Sequence, residues 1–279
     1  MSQPLFCFRF DVDTPLCIAV GVPNLLELAR KKGVSFSFFI NMGRAVSYRY
    51  LVGKGKQRRS EIVTKLGSLE KLGVAEALKT GIFNPLVGAA NRAVVTDMFD
   101  SGHEIGLHGG KNHATWQYAA DTWTRQRITE EIDWGKKSLE EIIGCPVTAF
   151  SSPGWNGGPT VNKILSEVGF RYSADLHGKD GACVQTCPVS RLFQIRTILS
   201  GEPGGVGYLE WLTASGMSQR DALAYIKSEL KNGQSGIVLY DHPCYAGIQK
   251  LDLLAELIDL VSSHNYKIAT MSDILTRYE

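Results

Sequence analysis

The residues best able to do chemistry fall in three short stretches. Phe10-Asp11-Val12-Asp13-Thr14 closes an apolar run near the start of the chain. Two carboxylates two positions apart on a strand project to the same side, where their repulsion is costly unless a cation lies between them. Glu104-Ile105-Gly106-Leu107-His108 leads into Gly109-Gly110-Lys111-Asn112-His113, so two histidines bracket a glycine-rich bend. With Asp13, His108 and His113 make a two-histidine, one-carboxylate set that suits a divalent metal and leaves positions open. Val238-Leu239-Tyr240-Asp241-His242-Pro243 ends a later apolar run, and the His242 imidazole can hand a proton to a departing amine near neutral pH. Singly, each has an ordinary reading: Asp11 can cap a turn, Asp13 can be solvated, and a loop histidine can simply be hydrogen-bonded. Only convergence makes a site. His103 at the start of a strand, His264 behind a helix and His177 in a loop are set aside.

Positioning them is the task of the surrounding elements. Strand-like runs at 5–10, 35–40, 103–107, 147–150, 170–174, 192–198, 237–240 and 266–269 alternate with helical spacing at 24–32, 89–100, 128–143, 161–168, 218–230 and 251–261. Repeated β-α-β units imply a parallel sheet with helices outside it. About seven strands in roughly 250 residues suit closure into a barrel. No Gly-x-Gly follows the first strand at Gly21, which argues against a dinucleotide-binding fold. The expected fold class is α/β, an irregular (β/α)7-type barrel, with one domain over residues 1–279. In such barrels functional side chains gather at the C-terminal ends of the strands, where all three stretches stand.

One segment breaks the alternation. In an insert expected over about 43–88, after the second strand, the stretch from Arg44 to Lys71 sets Arg44, Arg49, Lys54, Lys56, Arg58, Arg59, Lys65 and Lys71 against only Glu61 and Glu70, with Tyr48, Tyr50, Ile62 and Leu66 among them. This reads as a helical insert with basic and apolar faces, either lying on an anionic membrane surface or packing on the barrel with its charges in water. The net charge of +2 gives no argument for a nucleic-acid partner. No apolar run reaches the eighteen or so residues of a membrane span, and no secretory signal is legible at the start. The six cysteines form no paired zinc knuckle, although Cys183 and Cys187 give a weak hint of metal or disulfide. Reduced thiols in a cytoplasmic protein are expected.

The residues resemble the polysaccharide deacetylase (NodB-like, carbohydrate esterase family 4) superfamily, whose fold is an irregular (β/α) barrel. That resemblance implies that Asp11 is a general base, that Asp13, His108 and His113 bind a divalent metal (zinc first, otherwise manganese, cobalt or nickel), and that His242 is a general acid. Ser152-Pro153-Gly154-Trp155 resembles the motif that lines the groove, so Pro153, Gly154 and Trp155 are expected there with an oxyanion-binding N–H. Asp175, in Arg171-Tyr172-Ser173-Ala174-Asp175, stands where the family has a carboxylate that tunes catalysis. Arg9 to Thr14, Asn41-Met42-Gly43-Arg44, Glu104 to His108 and Leu139 to Gly144 further resemble bacterial deformylases of 4-deoxy-4-formamido-L-arabinose-phosphoundecaprenol, which also carry a long insert after the second strand. The resemblance is thinnest from about 177 to 216.

It implies a metal-dependent hydrolase that removes an N-formyl or N-acetyl group from an amino sugar, most closely one linked to undecaprenyl phosphate. Arg44, Arg49, Lys54, Lys56, Arg58 and Arg59 would then contact membrane or lipid phosphate, at the inner face of the cytoplasmic membrane. Alternatives are a deacetylase of another N-acetylated sugar or glycan, an amidase or cyclic-imide hydrolase, and a degenerate binding protein. Two departures from the family pattern stand out. The metal histidines are usually four apart, and here Asn112 holds that place with His113 one further on, leaving either as the third contact. The arginine expected in the third motif is Ser151, so Asp11 is expected to lack its usual cation.

Overall fold

A computed structural model describes residues 3–47, 81–202, 205–230 and 236–279. Its strands are β1 (Leu5–Val12), β2 (Ser37–Ile40), β3 (Glu104–His108), β4 (Ala149–Ser151), β5 (Tyr172–His177), β6 (Val184–Thr186), β7 (Phe193–Thr197), β8 (Gly236–Asp241) and β9 (Lys267–Ile268). Its helices are α1 (Val22–Lys32), α2 (Arg92–Asp100), α3 (His113–Ala119), α4 (Arg125–Ile143), α5 (Pro159–Glu167), α6 (Tyr208–Ala214), α7 (Gln219–Leu230), α8 (Pro243–Ala246), α9 (Leu251–Ser263) and α10 (Met271–Thr276).

β1 is buried along its whole length, because both of its faces are covered. Phe6, Phe8 and Phe10 point outward into an aromatic layer with Phe36, Phe38 and Tyr266. Fully burying each phenylalanine contributes about 1.5–3 kcal/mol. Cys7, Arg9 and Asp11 alternate to the other face. From there Arg9 donates to the Ala174 carbonyl at 2.6 Å and to the Thr197 hydroxyl at 2.9 Å. Those partners lie on β5 and β7, which are not neighbours of β1 in the sheet. This face of β1 is therefore the inside of a barrel.

Seven parallel staves run in the order β8-β1-β2-β3-β4-β5-β7. A parallel bridge between Leu199, just past β7, and Leu239 of β8 joins the two ends. Leu199 N–H donates to Val238 O at 2.9 Å and Tyr240 N–H to Leu199 O at 3.0 Å. β6 adds an antiparallel edge to β7, and β9 pairs with the first two residues of β1. The fold is the irregular α/β barrel expected from the alternation of strands and helices.

Outer helices begin and end on local signals. α4 is capped at its N-terminus by the Thr124 side chain and stopped by Gly144 in the left-handed region, at φ 71°. Its buried positions Ile128, Ile132, Gly135 and Leu139 follow helical spacing. The floor of the barrel is polar. The Glu104 carboxylate accepts from Ser37 Oγ at 2.6 Å, Tyr172 Oη at 2.7 Å and Met271 N–H at 2.9 Å, so it ties three elements to the start of α10.

Elements that the sequence reading passed over are short: a π-helical turn at Cys17–Gly21, then α3, β6, α6 and α8. Each spans too few residues for a periodic pattern to register. Among the described residues no helix is long and apolar enough to cross a membrane.

Candidate active site at the barrel mouth

Asp13 follows the end of β1 and stands between histidines from two other staves. Its Oδ1 lies 3.2 Å from His108 Nε2, and its Oδ2 lies 3.3 Å from His113 Nε2 and 3.2 Å from His242 Nε2. The ligand atoms of Asp13, His108 and His113 all lie within 4.8 Å of one another.

His108 is the last residue of β3 and is buried. Its Nδ1 contacts the Ser151 carbonyl at 3.1 Å and the Ser151 hydroxyl at 2.6 Å. A carbonyl can only accept, so Nδ1 carries the proton and Nε2 is left to face Asp13. Asp13 Oδ1 is buried with no hydrogen-bond partner. His108 Nε2 and the orphaned carboxylate oxygen thus face each other, and positive charge between them, a proton or a metal ion, would satisfy both. The electrostatics agree. Burial pulls the His108 proton affinity down, but Asp11 and Asp13 outweigh it and raise the pKa above that of an ordinary imidazole. Burial likewise disfavours the Asp13 carboxylate, yet the charges of His113 and His242 hold its pKa well below the usual range. The donor set fits a divalent cation.

The loop that leaves β2 positions His113. Arg44 N–H donates to Lys111 O at 3.0 Å, and Arg44 O accepts from His113 N–H at 2.8 Å. Only glycine permits so close an approach at position 43, where a Cβ would lie 2.1 Å from Lys111 O. Asn112 is the N-cap of α3: its Oδ1 accepts from Thr115 N–H at 2.8 Å, and its Nδ2 donates to Val46 O at 2.8 Å. Of the two residues left open as third contact, the structure brings His113 to Asp13 and commits the side chain of Asn112 elsewhere.

Asp11 sits one layer deeper, nearly sealed from solvent. The expectation that it lacks a neighbouring cation is overturned. Arg9, two residues upstream on the same face of β1, grips both carboxylate oxygens at 2.9 and 2.8 Å. The guanidinium is itself buried, with Phe39, Trp155 and Tyr240 rings at 5.0, 4.6 and 5.1 Å. Ser151, where the arginine was expected, instead holds His108. Strand alternation carried back one step from Asp11 would have found Arg9.

Around this core, His242 follows β8 and its Nε2 lies 2.9 Å from Tyr240 Oη. Its backbone N–H donates to Asp241 Oδ1 at 2.8 Å, while Asp241 Oδ2 accepts from Leu209 N–H at 2.7 Å at the start of α6. Burial pushes the Asp241 pKa up to about 6, against the opposing pull of His242. Asp175, on β5, accepts from Ser152 N–H at 2.6 Å and Ser152 Oγ at 2.8 Å. Burial raises its pKa as well, opposed by those donors and by Arg9. Pro153, Gly154 and Trp155 form a tight turn after β4, with Gly154 at φ 62° and the Trp155 N–H donated to Ser152 O at 3.0 Å.

His177 is not a loop residue. It is the last residue of β5, on the same rim, with its ring 4.7 Å from Trp155. The bulge between Ser173 and Leu176 lets β5 extend that far. Arg44 is exposed at the rim and bonded to the Asn84 carbonyl. Arg49, Lys54, Lys56, Arg58 and Arg59, with most of the insert, lie outside the described residues.

Comparisons with known proteins bear on the family and the fold. A "Probable 4-deoxy-4-formamido-L-arabinose-phosphoundecaprenol deformylase ArnD" of Shewanella sediminis is 32% identical over 178 residues, 61% of this chain and 56% of that protein. The chain thus matches only a little over half the length of that relative. Among solved structures, a candidate polysaccharide deacetylase from Mycobacterium smegmatis superposes with a TM-score of 0.66 at 18% identity, over 99% of this chain and 93% of the other. A CE4 family pseudoenzyme from Bacillus anthracis does so at 0.58 and 13%, over 98% and 66%. Both likenesses concern the fold. The polysaccharide deacetylase family model matches residues 7–173, which takes in β1 through β4 and most of the mouth. This chain belongs to the polysaccharide deacetylase family.

Proposed function

We propose that this protein is a metal-dependent hydrolase of an amide on an amino sugar, and that its substrate is a 4-formamido-arabinose carried on a lipid phosphate. One observation carries the reading: Asp13, His108 and His113 converge from separate strand ends, with Asp11 beneath them and His242 beside them. Asp13, His108 and His113 would hold a divalent ion, which would supply Lewis acidity favouring attack on an amide carbon.

The chain's own residues do the rest. Asp11, oriented by Arg9, takes the proton of the attacking water. The Gly154 N–H is the backbone donor for the developing oxyanion, since that of Trp155 is committed to Ser152 O. His242, steadied by Tyr240 and Asp241, protonates the leaving nitrogen; an amine departs poorly without that proton. Asp175 fixes the Ser152 turn that presents Gly154.

The two departures that favoured a degenerate binding protein both have structural roles. Asn112 caps α3, and Ser151 orients His108. The formyl and lipid-linked parts of the proposal rest on the Shewanella relative. A cytoplasmic chain working at the inner membrane face, with Arg44 and the basic insert near lipid phosphate, fits that substrate. Incubation with formamido- and acetamido-sugars, with the released acid identified, tests the reading. Formate from the formamido-arabinose is expected. Preferential release of acetate would move the assignment to a deacetylase, and no acid from either in metal-loaded protein would defeat it.

A further inference from the structure

A second polar cluster shares the rim but lies outside the machinery just described. His177, at the end of β5, places Nδ1 3.2 Å from Glu202 Oε1, which also accepts from Ser200 Oγ at 3.2 Å. Behind them Trp155 donates Nε1–H to Gly205 O at 2.8 Å. A strap, described at 200–202 and 205–207, is held by Gly201 N–H to Val206 O at 2.7 Å and Val206 N–H to Gly201 O at 3.1 Å. At Gly205, φ +60°, a Cβ would stand 2.6 Å from Trp155 Nε1 and 3.1 Å from His177 Nδ1, so glycine is what lets the strap seat this closely. Trp155 touches Tyr240 edge-on at 5.3 Å, and Tyr240 bonds His242. The cluster is therefore one aromatic layer from the proposed acid.

Its chemistry can be read from the tautomer. A carboxylate only accepts, so His177 Nδ1 carries the proton given to Glu202. In the neutral imidazole His177 Nε2 is an acceptor, as are the Glu202 oxygens, and both side chains are partly open to solvent, at 29% and 44%. Such a site favours groups that donate. Phosphate or carboxylate oxygens find no donor in that form of the pair. Among the described residues Asp13, His108 and His113 are the one group of three or more metal-donor side chains, and the His177–Glu202 pair is not part of it. Hydroxyls set side by side on a sugar ring match it.

We propose that His177 and Glu202, backed by Trp155, form a subsite that selects the amino sugar by accepting hydrogen bonds from its vicinal hydroxyls. The subsite rests on the amino-sugar reading above, but binding can test it without turnover. Methyl arabinopyranoside and its 2,3-dideoxy analogue are titrated by NMR into the metal-loaded protein and into Glu202→Gln and His177→Phe, with melting curves to establish folding. The arabinoside is expected to bind the native protein on the order of tenfold more tightly than either variant. The dideoxy analogue is expected to show no such difference. Equal binding of the arabinoside to all three folded proteins would overturn the subsite, and formate release from the formamido-sugar in the same preparations would leave the functional reading standing. Binding that depends on both residues, without hydrolysis of any sugar amide, would uphold the subsite and sink the hydrolase.

Discussion

Arg9 and Asp11 show how one buried pair links stability to chemistry. Their desolvation is costly, and their mutual attraction repays it only while both are present. Arg9→Met should therefore destabilise the fold by about 3–5 kcal/mol, because a buried carboxylate is left unpaired. Arg9→Met combined with Asp11→Leu should recover much of that loss; denaturant midpoints of the single and double variants measure the coupling. If the double variant is no more stable than Arg9→Met, the pair is not the reason for the loss. For catalysis, Asp11→Asn and His242→Ala should each lower kcat by about 10²–10⁴ with metal content unchanged. Near-native turnover of the formamido-sugar by either would remove that residue from its role. Asp13→Asn should instead lose the metal.

At the scale of elements, the loop leaving β2 and the bend leaving β3 act together, since Arg44 O holds the His113 backbone. Gly43→Ala would drive the two loops apart, because its Cβ would meet Lys111 O. Metal affinity should fall about 10–100-fold, as for other losses of support behind a metal ligand. Isothermal titration of the metal-stripped protein would measure it, and unaltered affinity would mean that the loop contact does not position His113.

At the opposite end of the barrel, His103 lies buried against Phe36 and Phe38, and its Nδ1 accepts from Phe36 N–H at 3.0 Å. Burial lowers its pKa to about 4, so in the range between 4 and 6.5 the unfolded chain takes up a proton that the folded chain refuses. The fold should lose stability as pH falls through that range, by about 2–3 kcal/mol from this residue. His103→Asn keeps an acceptor for Phe36 and should flatten the acid limb in denaturation series from pH 7 to 4. An unchanged slope would assign that limb to other groups.

For the whole molecule, the barrel divides into a polar floor tied by Glu104, a charged interior at Arg9 and Asp11, and a mouth rich in histidine. A cation binding only the folded chain adds stability by mass action, about 2.7 kcal/mol at a hundredfold excess over Kd. Chelation should lower the melting temperature, zinc or manganese should restore it, and Asp13→Asn should respond to neither. Sedimentation with anionic liposomes, with and without residues 48–80, tests the membrane contact proposed for Arg44 and the basic insert. Equal recovery with liposomes in both cases would remove the lipid surface from the account.

Taken alone, the sequence determined the architecture and most of the mouth, because those depend on local patterns. Alternating apolar runs write parallel strands and outer helices, and strand ends are where a barrel gathers side chains. Asp13, His108, His113 and His242 could be picked out on that ground. Tertiary structure alone decided the partnerships. Arg9 looks like an ordinary strand residue until β5 and β7 close over it and bury it against Asp11. Asn112 and His113 are adjacent, and only the fold of the 109–113 bend turns one into a cap and sends the other to Asp13. His177 joins the rim because β5 continues through a bulge that no periodicity announces. Which groups meet across a barrel depends on stagger and closure, and neither is a property of any one segment.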